Sequence, residues 1–379
     1  MSNYRVFTSE SVCAGHPDKI ADQISDAVLD EIMRQDPHGR AAVETAVTAN
    51  RVILFGEINT TAKLDVTAIA RQEIERLGYV NPALQFTPQS HIDDYIREQS
   101  SEIAVGVDAS SEGEGAGDQG MMFGFACNET PELMPLPIEL AHRLTKRIDE
   151  LRETGVLSYL RPDGKAQVSV EYKDGKPLAV RHVTVAVPHN RTVDLQQVRD
   201  DIYIGAIEPL LYDYGYKIDP KKDLVVNGTG VWHFSGPAAD AGLTGRKIVV
   251  DGYGGYARVG GGAFSGKDCT KVDRSAAYAA RYLAKNIVAA GLADKVEVQL
   301  AYYIGAKKPV MQEVDTFGTE KSSHKVIKDF MDGLLDTSVR GIIKGLDLRR
   351  PIYKQTAAYG HFGRAEFPWE QLAKSSRTR

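Results

Sequence analysis

The 379-residue chain has only three cysteines and two tryptophans, and no surplus of positive charge: 46 Lys plus Arg stand against 51 Asp plus Glu, a formal net charge of −5. Cys13, Cys127 and Cys269 fall in no CxxC spacing, which argues against a disulfide framework and against a cysteine-rich zinc site. No apolar run approaches the roughly 20 residues that a bilayer span needs, so no membrane partner is expected. The N-terminus, MSNYRVFTSESVCAGHPDK, has neither the basic and then apolar build of a signal peptide nor the Arg-rich amphipathic build of a transit peptide, and a cytoplasmic location is expected. A mildly acidic chain lacks the clustered Lys and Arg of a general nucleic-acid binder, which leaves open only a local basic patch. HExxH and GxSxG are missing as well, so no zinc-protease or serine-hydrolase pattern is available.

What is there is ordinary globular material, 42% hydrophobic and 26% charged, long enough for two or three domains. Its patterning repeats. Ile20, Ile24 and Val28, continued by Ile32 and Met33, predict an amphipathic helix over 17–35 with Pro17 in its first turn. AVETAVTA and RVILFGEI read as half-buried strands, and DVTAIARQEIERLGY returns to helical period with Gly78 as its stop. The same order recurs from PIELAHRLTKRIDELRETG, through a hairpin turning at Asp174-Gly175, to LQQVRDDIYIGAIEPLLYDYG. It recurs again from VDRSAAYAARYLAKNIVAAG, stopped at Gly291, through KVEVQLAYYIG and PVMQEVDTFG to a last helix KVIKDFMDGLLDTSVRGIIKG. Helix, strand pair, helix thus appears three times, as three small α+β units.

Four segments carry possible chemistry. Residues 252–266 hold seven glycines, and residues 246–274 hold six basic side chains against three acids, a local sign opposite to that of the chain. Backbone without Cβ can bring several N–H groups to one anion, and a helix starts just beyond, so the segment reads as a phosphate site or as a solvated loop. Gly261 to Asp268 almost fits GxxxxGK[ST], but Asp268 stands where a P-loop has a hydroxyl. His16 and Asp18 flank the first turn of the 17–35 helix, where an anion pocket with a Mg²⁺-holding carboxylate, or simply a dipole-matched Asp and a surface His, would both fit. Residues 106–120 carry five glycines and four acids, as a mobile lid ending in a strand-borne acid, Asp118, or as an idle acidic loop. NGTGVWHF presents Trp232 as a platform for a flat base or as core. Cys269, between Lys267 and Lys271, is a further candidate only as a thiol of lowered pKa.

Taken together, FTSESVCAGHPDKIADQISDAVLD, GAGDQGMMFGFACNET, LTGRKIVVD, GGGAFSGKD, KVDRSAAYAARYLAKNIVAAG and PIYKQTAAYGHFGR closely resemble the S-adenosylmethionine synthase family of bacterial type, nearly end to end and in order. The resemblance implies an α+β fold of three pseudo-symmetric repeats of helices packed on a mixed β-sheet. It implies an N-terminal domain over 1–102, a flexible gate with the GAGDQG motif over 103–120, a central domain over 121–231 and a C-terminal domain over 232–379, with strands exchanged between them. It implies a homo-oligomer, a dimer with interfacial active sites assembled as a dimer of dimers, acting on ATP and L-methionine with two Mg²⁺ per site and K⁺. The reaction it implies is attack of methionine sulfur on C5′ of ATP, with the expelled tripolyphosphate hydrolysed to pyrophosphate and phosphate.

By motif, His16 resembles the residue at the breaking C5′–O bond, and His16, Lys165, Arg246, Lys267 and Lys271 the catalytic set. His16, Asp163, Lys165, Val231, Trp232, Asp240, Arg246, Lys247, Ala263 and Lys267 match ATP-binding positions. Glu57, Gln99, Asp118, Asp240, Lys271 and Ile304 match positions around methionine. Asp18 and Asp273 resemble the Mg²⁺ ligands and Glu44 the K⁺ ligand. The chain departs from the family pattern at Val231 and Trp232, where a basic residue and Phe are usual. It departs also at Ala104 and Val105, for an Asn-Gln pair, and at Cys269, for proline. The alternative of another class is a catalytically weakened paralogue serving as a nucleotide-binding regulatory subunit.

Overall fold

A computed structural model describes residues 3–98 and 114–373. β1 (Tyr4–Val12) leads into α1 (Pro17–Gln35), the hairpin of β2 (Arg40–Thr48) and β3 (Arg51–Asn59), α2 (Val66–Arg76) and β4 (His91–Glu98). Next come β5 (Gly120–Cys127), α3 (Leu136–Glu153) and the hairpin of β6 (Lys165–Lys173) and β7 (Lys176–Ala186). The helix α4 (Leu195–Ile202) passes through a π-helical stretch, Tyr203–Ile207, into α5 (Glu208–Asp213), and β8 (Leu224–Val226) follows. The last third holds the two-residue strand β9 (Gly242–Leu243), the single turn α6 (Ile248–Asp251) and α7 (Val272–Ala289). It ends with β10 (Lys295–Tyr302), β11 (Met311–Asp315), α8 (His324–Leu334) and α9 (Val339–Gly345).

Local chemistry accounts for the boundaries. Asp174 and Gly175 both have positive φ, 51° and 80°, as a two-residue hairpin turn that matches strand twist requires. α2 stops because Gly78, at φ 88°, turns the chain left-handed and lets Tyr79 N–H donate back to Ile74 O at 3.2 Å. The helix expected over 325–345 is two helices. Asp336 accepts from Ser338 N at 2.9 Å, and Ser338 Oγ accepts from Gly341 N at 3.0 Å, so local side-chain bonds end one helix and cap the next.

The strands make three sheets, in the orders β1-β6-β7-β8, β11-β10-β5 and β4-β3-β2-β9. The first and third are mixed, through the parallel pairs β7/β8 and β3/β4; the second is antiparallel throughout. Each hairpin is completed by a strand from a distant stretch: β1 lies on β6, β5 on β10, and β9 on β2. One apolar core gathers α1, α2 and α7 to α9 over the second and third sheets, and another gathers α3 to α5 over the first.

The amphipathic pattern of α1 predicts a wet polar face, and here the structure differs. Sixteen of its 19 residues are buried, as are 16 of the 18 in α7. The charges inside are paired. Arg274 grips Asp26 through both terminal nitrogens at 2.6 and 2.8 Å, Arg281 grips Glu370 at 2.9 Å twice, and Lys19 lies 2.5 Å from Asp251 and 2.9 Å from Asp22. Losing one partner of such a pair strands a buried charge, at a cost of roughly 3–5 kcal/mol. Among the described residues no helix is long and apolar enough to cross a membrane.

Burial also fixes ionisation. His142, with Nδ1 2.9 Å from Ser11 Oγ, is pushed down to about 3 by burial and then by Arg364 and Lys19. Its folded pKa lies below the unfolded value of about 6.5, so the stability it contributes is present above pH 6.5 and is lost as pH falls toward 3. Asp149, raised to about 6 by burial, acts with the opposite sign over part of that range. The comparison is therefore made with His142→Gln: its urea-unfolding free energy should fall less steeply than wild type between pH 6.5 and 4. Parallel curves would refute the assignment.

Candidate active site

The site begins at the N-terminus of α1. His16 is the N-cap, in extended conformation, and its Nδ1 accepts from Asp18 N–H at 3.2 Å, while Pro17 fills the first turn. With Nδ1 occupied as an acceptor, the proton of the neutral ring sits on Nε2. The ring is neutral, since burial, then Lys247 and Lys165, lower it to about 3. Asp18 accepts from Leu243 N at 3.0 Å and Lys247 Nζ at 2.5 Å, with Arg246 Nε at 3.5 Å. Burial raises this carboxyl, but the bonds from Lys247 and Leu243 outweigh it and hold it below the ordinary range. Gly242 permits this approach: a Cβ there would lie 2.2 Å from the backbone of Pro17. Lys165, exposed at the head of β6, stands opposite Val12 in register.

The glycine-rich segment packs along β2. Val43 N–H donates to Gly266 O at 3.0 Å, and Lys267 forms an isolated antiparallel bridge with Ala42. Ala42 also lies opposite Glu57 of β3, and Glu44 opposite Phe55, so Lys267, Glu44 and Glu57 share the sheet face turned away from α1. Lys267 Nζ reaches Asp273 at 2.6 Å. Lys271 Nζ lies 2.5 Å from Asp268, which is fully buried and pinned by Ala41 N and Thr270 N. The near P-loop thus has a structural acid where a P-loop has its hydroxyl. Burial raises the carboxyl of Glu44, against the attraction of Lys267. Ala263 adjoins Gly245, joining this cluster to the first. Cys269 is buried, and burial pushes its thiol up to about 12, which overturns the lowered-pKa reading.

A third group lies beyond His16. Asp163, buried and raised to about 6 by that burial, accepts from Gly164 N at 2.7 Å and Gly236 N at 3.1 Å. Asp240 N–H donates to Gly236 O at 3.1 Å. Val231 is exposed, and Trp232 is half-buried outside both apolar cores, with Nε1 donating to Phe234 O at 2.8 Å. Asp118 is exposed in a bend just before β5, not within the strand. The backbone beside it pairs with that beside Ile304, Ala116 N with Ala306 O and Gly305 N with Ala116 O, each at 2.8 Å. Gly117 N lies 3.4 Å from Thr270 O, which joins this corner to Lys271. Gln99 and the 104–105 pair lie outside the described residues.

Tyr79 escapes the motif reading. Its hydroxyl donates to Gly15 O at 2.5 Å, and its ring fills the space beside Gly236, so it ties the His16 turn to the Asp163 group. Its only sequence signal is a position just after a helix stop.

The donor set bears on metal binding. Among the described residues no three His, Cys, Asp or Glu side chains converge as a metal cage. Asp18 and Asp273 instead each hold a lysine ammonium, a cation in the place where another would sit. Lone hard carboxylates fit Mg²⁺ that draws its other ligands from phosphate oxygens and water.

Glycine chemistry here is testable. Gly266, at φ 82°, would place a Cβ 1.9 Å from Val43 O, whereas a Cβ at Gly261 meets nothing within 4 Å. Gly266→Ala should cost about 2 kcal/mol or more, and Gly261→Ala less than about 0.5 kcal/mol, in urea denaturation. Equal effects would contradict the close-approach reading.

Three family descriptions match the chain in order: S-adenosylmethionine synthetase, N-terminal domain, over residues 4–101; central domain, over 113–232; and C-terminal domain, over 234–371. A protein of Clostridium tetani (strain Massachusetts / E88) named S-adenosylmethionine synthase is 52% identical over 386 aligned residues, covering 98% of this chain and 97% of its own length. With these matches running from residue 4 to residue 371, the chain belongs to the S-adenosylmethionine synthetase family.

Proposed function

We propose that the chain is a methionine adenosyltransferase that joins the sulfur of L-methionine to C5′ of ATP. The observation that carries the reading is the placement of His16, whose Nδ1 accepts from Asp18 N–H and so leaves Nε2 to carry the proton, at the positive end of α1 and beside Lys165, Arg246 and Lys247. A thioether is neutral and needs no base. Its lone pair forms the S–C5′ bond, the C5′–O bond breaks, and that electron pair leaves on the tripolyphosphate. Catalysis then rests on alignment and on receiving negative charge. His16 Nε2–H donates to the leaving oxygen, and Lys165, Arg246, Lys247, Lys267 and Lys271 hold the polyphosphate. They hold it also while water cleaves it to pyrophosphate and phosphate.

Asp163, Val231, Trp232, Asp240 and Ala263 surround the nucleoside in this reading, and Glu57, Gln99, Asp118, Asp240 and Ile304 the amino acid. Asp18 and Asp273 would hold Mg²⁺ and Glu44 K⁺; the cations supply charge to offset the leaving anion. A symmetric pairing of subunits is part of the proposal. Its support is the sheet face turned away from α1, where half-buried Ile53 and Phe55 and exposed Tyr95, the register partner of Phe55, lie beside Glu57 and Lys267. A cytoplasmic setting fits three cysteines that are all unpaired. The domain limits given above, 1–102, 121–231 and 232–379 around the 103–120 gate, complete the reading.

Purified protein with ATP, Mg²⁺ and K⁺ should form sulfonium product, pyrophosphate and phosphate only when methionine is added; ADP alone, or no sulfonium, would sink the proposal. His16→Asn keeps a good N-cap but removes the Nε2 donor. It should lower sulfonium formation roughly 100-fold and hydrolysis of added tripolyphosphate far less; equal losses would contradict the role. Trp232→Ala should raise the KM for ATP about tenfold if the indole stacks on adenine. An unchanged KM with a lower Tm would make Trp232 a packing residue only.

A further inference from the structure

Asp18, Asp22, Asp26 and Asp30 recur every fourth residue of α1, so they line one face over about 18 Å. Each carboxylate accepts backbone N–H groups from the C-terminal part of the chain. Leu243 N donates to Asp18 at 3.0 Å, Gly245 N to Asp22 at 2.8 Å and Gly266 N to Asp26 at 2.8 Å. Tyr353 N and Lys354 N donate to Asp30 at 2.8 and 3.0 Å. The two middle contacts sit directly before the cations. Gly245 is followed by Arg246 and Lys247, and Gly266 by Lys267. Asp22 and Asp26 have fully buried side chains.

We propose that Asp22 and Asp26 are positioning residues, which set the height of the Arg246–Lys247 and Lys267 segments, each over the anion site it serves, by holding the Gly245 and Gly266 N–H groups. Both glycines have positive φ, 79° and 82°, and each would clash if given a Cβ, so the segments have few other ways to lie against α1. The acids are themselves held, Asp22 by Lys19 and Asp26 by Arg274, which makes the face of α1 a fixed ruler rather than a set of mobile side chains. Asp30 acts in the same way on a segment with no part in the anion site. The inference rests on reading Lys247 and Lys267 as polyphosphate ligands.

The test uses the full chain with inorganic tripolyphosphate as probe, its affinity read by calorimetry beside Tm and the KM and kcat of sulfonium formation. Asp22→Ala removes the acceptor of Gly245 N–H and should weaken tripolyphosphate binding about tenfold or more, raise the KM for ATP in step, and leave the KM for methionine within about twofold. Asp22→Asn keeps a carbonyl oxygen for that N–H and should stay within about threefold of wild type. Asp30→Ala should lower Tm but leave tripolyphosphate affinity within about twofold. Equal weakening by Asp22→Ala and Asp30→Ala, or tenfold weakening by Asp22→Asn, would overturn the inference; the Asn variant decides alone if Asp22→Ala does not fold. Should the variants rank as expected for tripolyphosphate while wild type makes no sulfonium, the reaction falls and the positioning role stands.

Discussion

A helix that buries its charged face obliges the charges there to find partners, and α1 draws most of them from the far end of the chain. Lys19 is held charged, against burial, by Asp22 and Asp251, and Asp26 is clasped by Arg274 of α7. Asp22 lies one turn along the same helix, but Asp251 and Arg274 are more than 200 residues away. The folded state is therefore the only arrangement in which the helix can be dry, and the polar groups that would be a liability in the core become its registration marks.

The same logic runs through the sheets. Each hairpin is finished by a strand borrowed from another stretch, and β9, only two residues long, lies beside the first turn of α1 because Gly242 has no side chain to prevent it. The chemically interesting residues gather where those borrowed pieces meet. His16 and Asp18 come from the first stretch, Lys165 from the second, and Arg246, Lys247, Lys267 and Asp273 from the third. A net charge of −5 says little about such a band, since its lysines are gathered locally and its acids are already engaged with them. Ammonium groups held by carboxylates are oriented and partly desolvated, ready to exchange a carboxylate oxygen for a phosphate oxygen.

Glycine serves a different purpose here from the one its abundance first suggests. Gly260 lies against Met121 O, Gly262 against the carboxyl of Asp273, and Gly266 against Val43 O. These are contacts of chain with chain, which bring the loop onto β2 and the start of α7. The same packing sets where Lys267 and Lys271 stand.

Much was legible in the residues alone. The 3.6-residue period of α1 and α7, the Asp174-Gly175 turn and the stops at Gly78 and Gly291 are set by local backbone preference, and the motifs around His16 and Lys267 identified the family. Other features were beyond local reading. β1 and β9 carry no clear strand pattern because their partners lie far along the chain, and the break at Leu335 depends on Asp336 and Ser338 winning a local competition with the helix. The four aspartates of α1 were visible as polar residues on a polar face. Only tertiary packing decided that this face is dry and that Cys269 is shut away from its flanking lysines. It likewise decided that Lys165 meets Arg246 and Lys247 around His16 and Asp18, because burial and charge pairing act between surfaces that exist only once the chain has folded.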